Sequence, residues 1–423
     1  VTVFQQLQPQ VRRNLLALFA AGLLFWSSLA SLLPTLPLYV QDIGGTDRQV
    51  GWVMGAFAIG LLLTRNYLGK VSDRRGRKLV LLIGSAVVAL APVLYLLVAT
   101  VPLLMAVRAF HGISIAAFTI GYSTLVTDLS PPQHRGELIG YMSLVQPLGV
   151  AIGPAMGGFL QESFGHAPLF VVSAVIGAVA WFCATLIGKS PSPESKPKDE
   201  PGNSQSTSEL TPQLSMWQLL FSPRVRVPAL VMLFIGLVFG SLASFLPLYI
   251  KDTDVALNPG WFYTAAAIAS FSLRFFVGKA SDRLGRGLFI TLSLCSYIIS
   301  MQLLSHANTP IAFLIAGVLE GSGAGVLIPM TIALMGDRSA AGERGRVFSL
   351  SIGGFDLGIA IAGPVLGMVA ESFGYRALFS LSGIFASIAL AIFVLLNNKD
   401  ISHSLRFATG RGPDLHAVRS GNS

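Results

Sequence analysis

The chain has 423 residues, of which 53% are hydrophobic and only 12% charged, with a formal net charge of +9. A soluble domain carries about 25% charged residues, so this composition, with a mean hydropathy of +0.67, excludes an ordinary water-soluble protein. A surplus of Lys and Arg can mark a nucleic-acid binder, but the placement of these charges, given below, argues for a membrane topology instead.

A membrane-crossing helix needs about 20 mostly apolar residues. Twelve such runs follow one another in the chain: 14–40, 49–69, 79–99, 102–127, 136–161 and 167–188, then 227–250, 260–279, 288–305, 310–335, 345–370 and 376–396. The first run is long, and no small-residue cleavage site clearly follows it, so it reads as a span that also directs insertion. Between the sixth and seventh runs lies a stretch rich in Ser, Pro, Lys and Glu, which cannot bury enough apolar surface to fold. The expected organisation is therefore a six-helix bundle over residues 1–188, a flexible linker over 189–225, a second bundle over 226–396 and a tail over 397–423. The tail is polar and reads as loose, with Leu405, Arg406 and Phe407 placed to touch the membrane surface. Cys183 and Cys295 lie in apolar runs of different halves and read as buried hydrophobes, not as a disulfide or a metal site.

Lys and Arg decide the orientation. With twelve spans, 23 of them fall on the side that holds both termini and 3 (Arg48, Lys251 and Arg376) on the other; Arg65, Arg108 and Arg274 lie within or at the edge of helices. Both termini are thus expected in the cytoplasm.

The two halves repeat one another at a shift of 209 residues. Gly69-Lys-Val-Ser-Asp73-Arg74-Arg-Gly76-Arg77 returns as Gly278-Lys-Ala-Ser-Asp282-Arg283-Leu-Gly285-Arg286. The same shift carries Gly51-Trp52 to Gly260-Trp261, Arg65 to Arg274, and Glu162-Ser-Phe-Gly165 to Glu371-Ser-Phe-Gly374. Six spans per repeat keep the second copy parallel to the first, related by an axis along the membrane normal.

The loop from Gly69 to Lys78, the twelve spans, the central tether and the weaker second loop together resemble the major facilitator superfamily. The resemblance covers nearly the whole chain. It implies an all-α membrane protein of twelve transmembrane helices in two pseudo-symmetric six-helix bundles. It also implies that the loop is a latch, closed when the cytoplasmic side is closed. Asp73 would then meet the start of helix eleven near Arg344, where a helix N-terminus attracts an anion, and Asp282 would meet the start of helix five near Arg135. Arg77 would bridge to Asp128, and Arg286 to Asp337, in that closed state. Gly69 is expected to let the second helix end close against a neighbour.

Gly149, Gly153 and Gly157 recur every four residues, with Pro154 and Gly158 beside them. Such a face packs membrane helices backbone to backbone, and the run resembles the helix-five motif of proton-coupled exporters. Gly358, Gly363-Pro364 and Gly367 echo it in helix eleven. Ionisable groups within spans point to function. Arg108 and His111 resemble the superfamily's helix-four motif. Glu320, the repeat mate of His111, and Asp356 lie at a similar expected depth, so these four are the proton-coupling candidates. Arg65 and Arg274 are expected to snorkel to the cytoplasmic interface. Cavity candidates are Trp26, Phe57, Phe118, Tyr122, Gln146, Phe239, Phe245 and Met330, an aromatic and Met surface suited to bulky apolar cargo.

The expectation is a proton-coupled transporter that exports small amphipathic compounds by alternating access, with no cofactor or metal and the proton gradient as its energy source. Its partners would be a small-molecule substrate, protons and the lipid bilayer, without nucleic acid. It would act as a monomer in the cell (inner) membrane. The alternative is an uptake symporter or facilitator for a sugar, organic acid or other small solute. An enzyme is not expected, because no nucleophile–base pair, metal constellation or nucleotide-binding loop is present in the sequence.

Overall fold

The computed structural model describes residues 7–188, 215–339 and 343–418, apart from the side chains at positions 132, 275, 278, 279, 282 and 344. Among these residues the regular structure is helical throughout. Spans one to six run Pro9–Asp42, Asp47–Arg75, Arg77–Leu97, Val101–Leu129, Arg135–Phe164 and His166–Thr185. Spans seven to ten run Pro223–Asp252, Gly260–Leu284, Arg286–Ser305 and Pro310–Asp337, and spans eleven and twelve share Arg344–Leu396. Among the described residues, nine segments are long and apolar enough to cross a membrane by length and composition alone. Twelve spans result because the last of these segments holds two, and spans two and eight, which carry Arg65 and Arg274, are less apolar.

The punctuation repeats with the sequence. Gly76 and Gly285 end spans two and eight at φ of 100° and 85°. Gly165 and Gly374 separate the last two spans of each half at 85° and 79°. These left-handed conformations are strained for residues with a Cβ. Pro residues open spans one, four, seven and ten in the first turn, where a missing N–H costs nothing.

Packing obeys the same symmetry. In the first half span one packs on five and six, two on four, and three on four and six. In the second half eight packs on ten, and nine on ten and twelve. Span seven packs on eleven and twelve, through Gly236 against Phe355 and Ser241 against Ser382. Besides the smaller contacts of span seven with spans one and two, two main contacts join the halves, span two with eleven and span five with eight. They are copies of one another: a Cβ on Gly51 would strike the Gly363 carbonyl, and one on Gly260 would strike the carbonyl of Pro154. Both lie toward the face opposite the Gly76 and Gly285 loops. Further bonds close that opposite face. Tyr375 Oη donates to Asp47 (2.8 Å), Arg48 pairs with Glu371 (3.2 Å), Lys251 with Asp42 (3.3 Å), and Asn258 donates to Glu162 (2.6 Å). At the loop-motif face the halves are open among the described residues: Gly69, Gly136 and Gly345 have open space where a Cβ would be, and Asp73 is exposed.

Three expectations about the ends of the bundles change. The second bundle begins at Pro223 rather than 226. Within the stretch read as flexible linker, Met216–Phe221 is a helix closed by a reciprocal Ser215–Gln218 capping box; residues 189–214 lie outside the described part. The tail is docked instead of loose. Helix Ile401–Ala408 is capped by Asp400, whose carboxyl is held below its usual range by the His403 backbone N–H and imidazole. Phe407 is buried against span nine, where Gly287 makes room for the Phe407 carbonyl, so it does not face the membrane. Arg338, 0% exposed, donates to both carboxylate oxygens of Asp414 (2.7 and 2.9 Å) and to Asn397, and so pins the tail to spans ten and twelve.

Candidate transport pathway

The four expected proton-coupling residues fall in three places. In span four Arg108 and His111 lie one turn apart and both are buried. Gly112 lets spans two and four touch at the Phe57 carbonyl, and this close approach seals Arg108 beneath the Phe57 ring, 4.3 Å from its centroid. His111 Nδ1 lies 3.2 Å from Tyr95 Oη and 3.4 Å from Arg108 Nη1. No carboxylate pairs with Arg108 among the described residues.

Glu320 occupies the equivalent place in span ten. Gly321 and Ala266, the repeat mates of Gly112 and Phe57, make the same backbone contact there. Ala266 replaces the large ring, and Glu320 is only 6% exposed, facing Tyr263 and Tyr297. Tyr263 gives its hydroxyl proton to the Leu242 carbonyl (2.9 Å), so Glu320 has no described hydrogen-bond or ion-pair partner.

Asp356 stands apart from both. It pairs with Arg65 across the interface between the halves, span two to span eleven. Arg65 therefore does not snorkel to the interface as expected. It lies ten residues before the end of its helix, roughly 15 Å inside at 1.5 Å per residue, and an ion pair holds it there. The sequence did carry one signal: Arg65 and Arg274 repeat at the same place in a span, which a chance charge would not do. Arg274 lines a cavity of ≈ 240 Å³ between span five of the first half and spans eight and ten of the second.

The latch residues divide. Arg77 pairs with Asp128, and Arg286 with Asp337 (3.0 Å), while the loop-motif face is open. Each pair lies within one half, so neither depends on the halves closing, contrary to expectation. Asp73, Arg74 and Arg283 are exposed. The surroundings of Gly278 and the side chains of Asp282 and Arg344 lie outside the described set, and Gly69 packs against nothing, so the close approach expected of it is absent here. Gly149, Gly153 and Gly157 pack span five on Trp26, Ser27 and Ser31 of span one, while Pro154 and Gly158 turn to Gly260 and Asn258 across the interface.

Of the cavity candidates, Met330 lines the inter-half cavity. Gln146 is exposed, Trp26 meets Phe25 edge-on, and Phe239 packs against Phe355. Phe118 and Phe245 are packed inside their halves: Phe118 is stacked between Phe25 and Tyr122, and Phe245 is fully buried in the second half. Tyr122 is likewise a packing residue, its hydroxyl donated to the Met142 carbonyl (2.8 Å).

Comparison with known proteins agrees with this architecture. The chain is 27% identical over 381 residues to the multidrug resistance protein MdtG of Escherichia coli O1:K1, covering 87% of this chain and 90% of that protein. A bacterial homologue of the human lysosomal transporter Spinster, in an inward-facing and unoccupied conformation, superposes with a TM-score of 0.74 at 16% identity, over 96% of this chain and 99% of that one. The nucleoside transporter NupG superposes with a TM-score of 0.71 at 15% identity, over 90% and 99%. The sequence profile of the Major Facilitator Superfamily matches residues 18–259 and 256–417. The chain thus belongs to the Major Facilitator Superfamily and is a multi-pass membrane transporter of small molecules, not an enzyme.

Proposed function

We propose that this transporter is a proton-coupled exporter of small amphipathic compounds, with the loop-motif face in the cytoplasm. The observation that carries this reading is the Arg65–Asp356 pair, an ion pair between the halves that lies well toward the loop-motif face from the Gly51–Gly363 contact. An ion pair requires the carboxylate. A proton on Asp356 removes the pair and leaves Arg65 without its counter-charge. Breaking a buried pair costs about 3–5 kcal/mol, and about 5.5 kcal/mol moves a two-state equilibrium from 1:99 to 99:1. One protonation therefore supplies a large part of the energy that changes which face is open. In the conformation open to the cytoplasm the pair is intact, Asp356 is deprotonated and the pathway is free to take cargo. At the other face, after cargo has left, Asp356 takes up a proton, and it gives that proton to the cytoplasm when the pair with Arg65 re-forms, so protons enter as cargo leaves.

The glycine face of span five and the similarity to a multidrug resistance protein support outward transport. One chain contains both halves of the interface and so forms the working unit as a monomer. Flux of a fluorescent amphipathic dye into proteoliposomes, under an imposed pH gradient, tests the reading. Uphill dye movement against proton movement supports it. Movement of dye with protons, or flux indifferent to pH, rejects it.

A further inference from the structure

Arg65 and Arg274 are repeat mates, but only one of them is neutralised. Asp356 faces Arg65 from span eleven. The residue equivalent to Asp356 in the first repeat is Pro147 in span five, so the repeat provides no carboxylate for Arg274. Among the described residues none pairs with it, and its Nε has no hydrogen-bond acceptor. Arg274 is half-buried, and an unpaired guanidinium whose Nε is cut off from water gains from an arriving anion. Its surroundings fit such an arrival. Arg274 borders the ≈ 240 Å³ cavity together with Val277, Val326, Met330 and the Ser143 segment, where the helical run of span five breaks. One wall belongs to the first half and the others to the second, so a molecule held there touches both moving bodies.

We propose that Arg274 is the anion-recognising group of a substrate subsite. The compounds it takes carry one carboxylate, sulfonate or phosphonate on a compact apolar body. The guanidinium fork matches two oxygens of such a group at once, and Val277, Val326 and Met330 receive the apolar part. Ligand pockets commonly span about 300–1,000 Å³, and the cavity lies just below that range, which selects small compounds over large ones. That the bound anion is cargo rests on the export reading above; the binding site itself does not.

The test uses the whole protein in lipid nanodiscs and three probes with one skeleton: phenylbutyrate, phenylbutylamine and phenylbutanol. Calorimetric titration, with empty nanodiscs subtracted, reads their affinities. The expected result is that phenylbutyrate binds at least about tenfold more tightly than the other two. In Arg274→Gln the three should bind within about twofold of each other, while Arg274→Lys keeps an anion preference of reduced size. Equal binding of the three probes by the unsubstituted protein overturns the proposal without any variant being needed. An anion preference that survives in a folded Arg274→Gln overturns it too. Export and site can fail separately. Anion binding without proton-opposed flux removes the export reading and leaves the site, whereas dye export without anion preference removes the site and leaves export.

Discussion

Asp42 and Lys251 are repeat mates, and their side chains meet at 3.3 Å across the boundary between the halves. A residue that touches its own equivalent lies close to the pseudo-two-fold axis. Asp42 also accepts from His166 (2.9 Å), so one carboxylate holds a group from each half. These side chains are partly exposed, and such pairs contribute about 0.2–1 kcal/mol each. Asp42→Asn alone should shift the conformational equilibrium only a few-fold toward opening at the far face. Adding Glu371→Gln, which removes the Arg48 pair, should shift it further. Spin-label distances across that face check both variants, and an unchanged distance distribution in the double variant would sink the clasp.

Asp356→Asn should abolish pH-driven exchange, because the site can no longer alternate between paired and protonated forms. Arg65→Gln should be worse for stability, since it strands a buried carboxylate at a cost of about 3–5 kcal/mol. Replacing both, as Arg65→Met with Asp356→Leu, should recover thermal stability and leave transport uncoupled. Melting curves and proteoliposome flux separate these outcomes. Proton-driven uphill flux retained in Asp356→Asn would falsify the coupling role.

Asp73 is exposed, so under the proposed transport cycle its contribution belongs to the state in which the loop-motif face closes. An anion at a helix N-terminus gains about 0.3–1 kcal/mol. Asp73→Asn should therefore slow turnover several-fold while leaving melting temperature and insertion intact. Flux equal to the unsubstituted protein at matched expression would show that the loop is a plain turn.

Arg338→Ala should destabilise the second half by about 3–5 kcal/mol, because Asp414 then loses its counter-charge in a nearly dry site. Removing the chain after Asn397 should have an effect of similar size by stranding Arg338. Arg338→Met paired with Asp414→Leu should be milder than either. Thermal melting ranks the three, and a truncated protein that melts like the full chain contradicts the docked tail.

Much of the architecture was legible in the sequence because duplication writes it twice. Gly76 and Gly285, or Gly165 and Gly374, identify their turns by recurring at a constant offset. Glycines at every fourth position told which face of span five would pack. What stayed hidden depends on which neighbour a helix face meets. Arg65 and Asp356 are separated by 291 residues, and nothing local distinguishes a snorkelling Arg from one bridging two bundles. Arg338 counted as one more orientation charge, although it is wholly buried, because nothing in the polar sequence around it marks its bond to Asp414 in the tail. Phe118 and Phe245 turn out packed inside their halves for the opposite reason: aromatic rings in membrane helices fill bundle interiors as readily as they line cavities.

The paired contacts of Gly51 with Gly363 and of Gly260 with Pro154 join main chain to main chain. No rotamer there can stretch to preserve a half-made seal. Either the backbones are in register or the gap admits water along both seams together. Such a joint has no intermediate setting, which denies ions a continuous route through the bilayer while the two halves shift.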